Sequence, residues 1–163
     1  MLFRSIIAIP TWGSVSAPDS EIYTLPVSPP LWYYKENDST PNVYMTPACF
    51  VSQAFGYWSG IATVRIQVMS SANHKGRLAL IWDAFDVNPA PGYEPEYNTV
   101  FTRVIDISEE RDVSVDIAWG VELPYCYKQT LSPSSKADPT EEWTAINSNG
   151  MFSLRVLNPL TGP

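Results

Sequence analysis

The sequence has few of the residues from which enzyme active sites are usually built. Its 163 residues include a single histidine, His74, and two cysteines, Cys49 and Cys126. A Ser-His-Asp or Cys-His arrangement needs its histidine in a shielded site, whereas His74 is followed by Lys75 and Gly76, as in a polar turn. Glycine-rich phosphate loops of the GxxxxGKS/T or GxGxxG type are absent. We therefore predict that the chain is not an enzyme, and we assign no catalytic residue.

Patterns that bind metals are also missing. No CxxC pair is present, and one histidine cannot supply the several imidazole ligands of a cupin-type site. A solvated acidic loop is favoured over a Ca²⁺ site for four carboxylates whose spacing matches no EF-hand loop; these are Asp83, Asp86, Glu94 and Glu96. Two distant cysteines make a poor disulfide framework, so we expect two buried or partly buried thiols. The sequence predicts no metal and no cofactor.

Basic charge is sparse. The chain has 10 Lys and Arg against 17 Asp and Glu, a net charge of −7, and no run of three basic residues. Because phosphate contacts need clustered Lys and Arg, such a chain is a poor nucleic-acid binder on its own. The N-terminal MLFRSIIAIPTWG has too short an apolar run to cross a membrane and lacks a small-residue cleavage site. We interpret it as a first strand, and we expect no membrane partner.

What the sequence does contain is the alternation typical of β-strands. Proline (15), tyrosine (9) and tryptophan (6) are abundant, which favours strands and ordered loops over helices. Apolar and polar residues alternate with period two, as in half-buried strands, at 60–69, 113–119 and 152–156. The apolar run Arg77–Asp83 predicts a central strand covered on both faces. Weaker strands are predicted at Ser5–Thr11, Glu21–Val27 and Val100–Ile107.

Turns, one helix and long loops connect these seven strands. Asn73–Gly76 predicts a tight turn with Gly76 at positive φ, and Ser108–Asp112 predicts a second polar turn. Thr46 and Pro47 suit the N-cap and the first position of a short helix. Three long loops are predicted, at Ser28–Met45, Ala84–Asn98 and Glu122–Gly150. Loops of this length are usually functional or packed against a partner.

Aromatic residues cluster in these loops, at Trp32-Tyr33-Tyr34 and Tyr125-Cys126-Tyr127. Such clusters form either protein interfaces, whose cores are rich in aromatic residues, or stacking platforms for sugars. The sequence favours neither of the two. A third pair, Tyr57-Trp58, is instead expected in the core or at the entry of a strand.

Five residue runs form a recognisable series. FGYWSG at 55–60 is followed by RIQVMSSANHKGRLALIWD at 65–83, NTVFTRVIDIS at 98–108, DVSVDIAWG at 112–120 and GMFSLRVLNPLTGP at 150–163. In this order they resemble the capsid proteins of picornavirus-like viruses, of the dicistrovirus, iflavirus and marine algal RNA virus type, in which FxYWxG precedes HxGRL. The resemblance covers most of the chain, weakly before Thr46 and strongly from there on.

The resemblance implies a fold. It is an all-β, eight-stranded antiparallel jelly roll with strands B to I, one short helix between strands C and D, and a single domain over residues 1–163. Strand I is then missing after Pro163, so the domain is expected to be incomplete at its C-terminus, since an open edge in the BIDG sheet would favour aggregation. The runs at 60–69, 77–83, 100–107, 112–120 and 152–158 correspond to strands D, E, F, G and H.

The resemblance also implies a function. It is that of a structural major capsid protein, which assembles with related subunits into a pseudo-T=3 icosahedral shell around an RNA genome. The expected partners are the other capsid proteins of the virion and, since capsids bind receptors, a host receptor. Direct contact with the RNA is left open. The expected location is the virion, and the host cytoplasm during assembly.

A functional residue of these viral proteins is assigned to this chain only where the sequence has the matching motif. Some relatives have an Asp-Asp-Phe motif tied to maturation cleavage, but the nearest string here, DAFD at 83–86, does not match it. The alternative to a capsid subunit is a carbohydrate-binding, lectin-like β-sandwich that uses loop aromatics as platforms. The candidate interface residues are Trp32, Tyr33, Tyr34, His74, Tyr125, Tyr127 and Trp143.

Overall fold

The computed structural model describes residues 18–35, 43–84, 100–128 and 148–162, which form short antiparallel sheets and one helix. In chain order the elements are β1 (Glu21–Pro26), a 3-10 turn (Pro29–Leu31), β2 (Tyr33–Lys35), β3 (Val43–Met45), α1 (Pro47–Ser52), β4 (Tyr57–Trp58), β5 (Ala62–Gln67), β6 (Lys75–Asp83), β7 (Phe101–Asp106), β8 (Asp112–Ile117), β9 (Cys126–Tyr127) and β10 (Met151–Thr161). The predicted strand Ser5–Thr11 lies outside the described residues. An eighth strand after Pro163 stays a prediction.

The largest sheet has the strand order β1-β10-β6-β7. Its register places Leu154 opposite both Tyr23 of β1 and Leu80 of β6, and Leu78 opposite Ile105 of β7. Opposite residues of an antiparallel pair share a face, so these side chains form one apolar inner surface. Four predicted strands, those at Glu21–Val27, 77–83, 100–107 and 152–158, are thereby confirmed.

The second layer is the pair β5-β8. Val113, Val115 and Ile117 of β8 are buried and alternate with exposed residues, which confirms the predicted period. They join Leu80 and Phe152 of the large sheet in one core cluster. Pairing between the predicted strands D and G is what a BIDG sheet requires. The two layers therefore pack face to face as a sandwich.

β6 is the central strand that its composition predicted. Leu78, Ala79, Leu80 and Ile81 are all buried. Because successive side chains of a strand point to opposite faces, four consecutive buried residues show that β6 is covered on both faces. The loss of one such side chain to alanine typically costs about 2–5 kcal/mol of stability.

The helix begins where the sequence predicted. The side-chain oxygen of Thr46 accepts a hydrogen bond from the Cys49 amide at 3.2 Å, and Pro47 occupies the first turn, where its missing N–H leaves no bond unmade. α1 ends at Ser52. Among the described residues no helix is long and apolar enough to cross a membrane.

Two predicted connections were wrong. Gly76 lies inside β6 and has no positive φ; among the described glycines only Gly60 and Gly150 do. The link at 68–74 is not a tight hairpin, because β5 and β6 lie in different sheets and the chain must cross between them. The predicted loop Ser28–Met45 also contains structure, since it holds the 3-10 turn and the β2-β3 ribbon.

Asn149, just before β10, ties the two layers together at one end. Its side chain is buried; Oδ1 accepts from the Gly120 amide at 2.8 Å, and Nδ2 donates to the Ala118 carbonyl at 2.7 Å, both beyond β8. Its backbone carbonyl accepts from the Trp82 indole at 2.9 Å. Gly150 follows at φ 78°, where a Cβ would lie 2.1 Å from the Asp83 carbonyl oxygen, so no other residue fits there.

Candidate assembly surface

The most distinctive surface feature is a group of three tyrosines on the β4-β9 ribbon, here called the tyrosine cluster: Tyr57, Tyr125 and Tyr127. Tyr57 pairs with Tyr127 across the ribbon, with ring centroids 5.0 Å apart, and Tyr125 lies 4.9 Å from Tyr57. The three side chains are 55%, 45% and 45% exposed. A packed aromatic group that stays this exposed is typical of an interaction surface.

The opposite face of the ribbon is anchored. Cys126 is fully buried, and the half-buried Trp58 packs edge-on against Trp119 with ring centroids 5.3 Å apart. Lys128 donates through its amide to the Gly56 carbonyl and through Nζ to the Gln53 carbonyl, both at 2.9 Å. These contacts attach the ribbon to the end of α1. The tyrosine cluster therefore lies on a backbone that is anchored to the rest of the fold.

Other exposed apolar side chains adjoin the cluster along the chain. Phe55, two residues before Tyr57, is 59% exposed, and Leu123, two residues before Tyr125, is 44% exposed. Phe50 of α1 is 72% exposed. Scattered single apolar residues are normal on a surface, but a group of this kind marks an interaction site.

The ring planes of the tyrosine cluster are inclined to one another. The angles are 71° between Tyr57 and Tyr125, 54° between Tyr57 and Tyr127, and 77° between Tyr125 and Tyr127. The three rings thus form no flat platform for a sugar ring. Edge-to-face packing of this type is instead favourable between aromatic groups and produces a ridged surface.

The tryptophan and tyrosines that precede the helix are placed differently. Trp32 is partly buried against the core, and its indole donates to the Pro26 carbonyl at 2.9 Å. Tyr33 and Tyr34 lie in β2, opposite Met45 and Tyr44 of β3. Trp143 lies outside the described residues. The structure thus brings together Tyr125 and Tyr127 of the candidate interface residues and joins Trp32 to the core.

His74 lies at one end of the sandwich, in the connection between β5 and β6. Its Nδ1 shares a hydrogen bond with the Ser71 hydroxyl at 2.5 Å. The ring packs on Gly162, where a Cβ would come within 2.6 Å of the imidazole. The guanidinium of Arg111 donates to the carbonyls of Ser70 and Ser71, which holds the same turn from the other side. His74 therefore tightens a turn against the end of β10.

The thiols behave as expected for buried side chains. Cys49 and Cys126 are buried thiols that form no disulfide, which confirms the prediction. Burial raises the pKa of both thiols, so neither is poised as a nucleophilic thiolate. Among the described residues no group of three or more histidine, cysteine or acidic side chains is arranged to hold a metal ion.

Comparison with solved structures identifies the fold. Chain traces similar to this one occur in the native virion of Kashmir bee virus (TM-score 0.74, 15% identity), a marine algae virus of the order Picornavirales (0.71, 21%) and the Israel acute paralysis virus pentamer (0.73, 16%). The chain folds as a picornavirus-like capsid jelly roll. The matches cover 93%, 94% and 93% of this chain. No family model and no curated protein matches the sequence.

This chain spans about 60% of the length of those viral chains, at 59%, 60% and 60%. Tyr57 was expected in the core or at the entry of a strand, and its place at the start of β4 confirms the second of these. What the sequence did not show is that the ring is exposed and packs with Tyr125 and Tyr127. The partner strand β9 is about 70 positions away in sequence, so no local pattern could show that Tyr57 and Tyr127 meet.

Proposed function

We propose that the chain is a structural subunit of a picornavirus-like capsid, which assembles with related subunits into a pseudo-T=3 icosahedral shell. The observation that carries this proposal is the jelly-roll fold, which is similar over more than nine-tenths of the chain to chains of virions and of a capsid pentamer. The exposed tyrosine cluster supports it, because a subunit of a shell needs prepared contact surfaces. The role is structural and not enzymatic.

The tyrosine cluster is proposed to form the centre of one contact between subunits. Tyrosine is enriched at interface hot spots because it offers a large, rigid surface with few rotatable bonds. Three half-covered rings would bury roughly 300 Å², whereas a stable contact buries about 800 Å² on each partner. The remaining area would come from neighbouring residues along the chain, such as Phe55 and Leu123, which are both exposed.

The shell is proposed to enclose an RNA genome. The net charge of −7 argues against broad contact between this chain and RNA phosphates, so the neutralising charge is assigned to other parts of the particle. The corresponding location is the virion, and the host cytoplasm during assembly. Recognition of a host receptor is included in the proposal because capsid surfaces are what a receptor meets.

Serine substitution tests the proposed contact. Co-expression of the chain with its sister capsid proteins, followed by sedimentation, should give at least about tenfold less assembled material for Tyr57→Ser, because losing a hot-spot side chain costs about 2 kcal/mol or more. Tyr44→Ser is a matched control, since Tyr44 is equally exposed (56% against 55%) but lies on the β2-β3 ribbon. Equal assembly of Tyr57→Ser and wild type, both folded, would contradict the proposed contact.

A further inference from the structure

A cleft with a cavity volume of about 350 Å³ opens at the end of the sandwich where β6 begins and β10 ends. Lys75 and Arg77 of β6 lie on its walls, together with Asn158 of β10 and Asp106 and Ser108 at the end of β7. We call it the cationic cleft. It is separate from the tyrosine cluster, with which it shares no residue.

The backbone of β10 is irregular at this point. Asn158 is opposite Arg77 and Thr161 is opposite Lys75, with register shifts on both sides of Asn158. The intervening Pro159 has no N–H to give to the ladder. Bulges of this kind redirect side chains and are common beside binding sites. The cleft lies beside this bulge, which contributes Asn158, Pro159 and Thr161 to its lining.

The polar groups that line the cleft differ in whether they have hydrogen-bond or ion-pair partners. Arg77 donates through Nε to Asp106 at 2.9 Å, and Asp106 also accepts from the amide and hydroxyl of Ser108. These bonds lower the pKa of Asp106 to about 2, so its carboxylate is charged and its acceptors are engaged. Within the described ranges the ammonium of Lys75 and the side-chain amide of Asn158 have no hydrogen-bond or ion-pair partner.

Donors therefore exceed acceptors in the cleft. Two cations, Lys75 and Arg77, face a single carboxylate, and Arg77 keeps terminal N–H groups beyond the one that Asp106 accepts. Arg is suited to planar, two-point contact with oxyanions, and Lys supplies a mobile point charge. The surplus of donors and the residual positive charge are unusual on a chain of net charge −7.

We propose that the cationic cleft binds a single phosphate- or sulfate-type oxyanion, held by Lys75, Arg77 and Asn158. The volume leaves room for a group attached to the anion, so the source is either the free inorganic ion or a monoester. The site is too small, and its basic residues too few, to follow a polyanion. This inference does not rest on the proposed capsid role.

Titration of the ¹⁵N-labelled full chain tests the proposal. Inorganic phosphate, and in a second arm glycerol 2-phosphate, is added at constant ionic strength maintained with chloride. We expect amide shifts concentrated at 75–77, 106–108 and 158–161, saturating with added anion. Tighter apparent binding in the second arm assigns the site to a monoester, and equal binding assigns it to the free ion.

Two charge-matched variants complete the experiment. Lys75→Gln should weaken binding roughly threefold to fivefold, the scale of one exposed charge contact. Lys128→Gln removes the same charge at the β4-β9 ribbon and should leave the titration unchanged. Shifts spread evenly over the surface, or equal titrations for Lys75→Gln and wild type with both spectra native-like, would overturn the proposal.

Discussion

At the residue scale, the exposed face of the β5-β8 pair carries an ion pair between Arg65 and Asp112. The guanidinium donates through Nε to Asp112 Oδ1 at 2.7 Å and through Nη2 to Oδ2, and Gln67 donates to the same carboxylate at 3.1 Å. The hydrogen bonds from Arg65, then those from Gln67, lower the pKa of Asp112 from 3.8 to about 2. A group whose pKa is lower in the folded state stabilises the fold in its charged form.

Because the pKa of Asp112 is lower in the folded state, the stability of the fold should depend on pH. Wild type should be more stable to urea than Asp112→Asn above pH 4, and the difference should shrink as the pH falls through the folded-state pKa of about 2, where the carboxylate becomes protonated. Salt should also reduce the difference, because the pair is exposed. Asp116→Asn is the control, since it removes the same charge from the same face of β8 but leaves the Arg65 pair intact. A difference that persists unchanged at pH 2 would show that the ion pair is not its source.

At the element scale, the ends of β8, β6 and β10 are joined by the side chain and backbone of Asn149. Asn149→Ala would remove the hydrogen bonds that this buried side chain makes with the amide of the partly buried Gly120 and the carbonyl of the exposed Ala118. Each hydrogen bond of this kind contributes about 0.5–1.5 kcal/mol net, so the variant should lose roughly 2 kcal/mol of unfolding free energy in urea. Asn73→Ala, at an exposed turn position, is the matched control and should change stability by less than about 0.5 kcal/mol. A loss as small as that of the control would mean that water replaces both bonds.

The elements differ in how far their sequence predicts them. β8 and β6 were predictable because burial of one face or of both faces leaves a direct pattern in the order of side chains. The start of α1 was predictable because Thr46 and Pro47 act locally. The position of Gly76 was not, because a short polar stretch before an apolar run looks the same whether the chain forms a hairpin or crosses between sheets.

The candidate site was only partly predictable for a similar reason. Tyr125 and Tyr127 could be singled out as aromatics in a long loop, but their packing with Tyr57 arises from the pairing of β4 with β9. Trp32 is also an aromatic residue in a predicted long loop, but it follows the 3-10 turn and packs against the core. The cationic cleft had no sequence signal, because its residues come from three strands and a bulge.

At the scale of the whole molecule, the fold, the surface and the charge are consistent with a single role. A sandwich with a continuous core forms a rigid body. The tyrosine cluster is exposed on a ribbon whose opposite face is anchored to the fold. Under the proposed function, the acidic balance suits a subunit whose outer surface faces water, with the RNA neutralised by other parts of the particle. Together these features support the proposed role of the chain in assembly.

The most direct test of that assignment is electron microscopy of the chain co-expressed with its sister capsid proteins. We expect closed icosahedral particles that contain this chain, and we expect no such particles when the chain is omitted. A chain that stays a soluble monomer and shows no association with the sister proteins under the same conditions would contradict it.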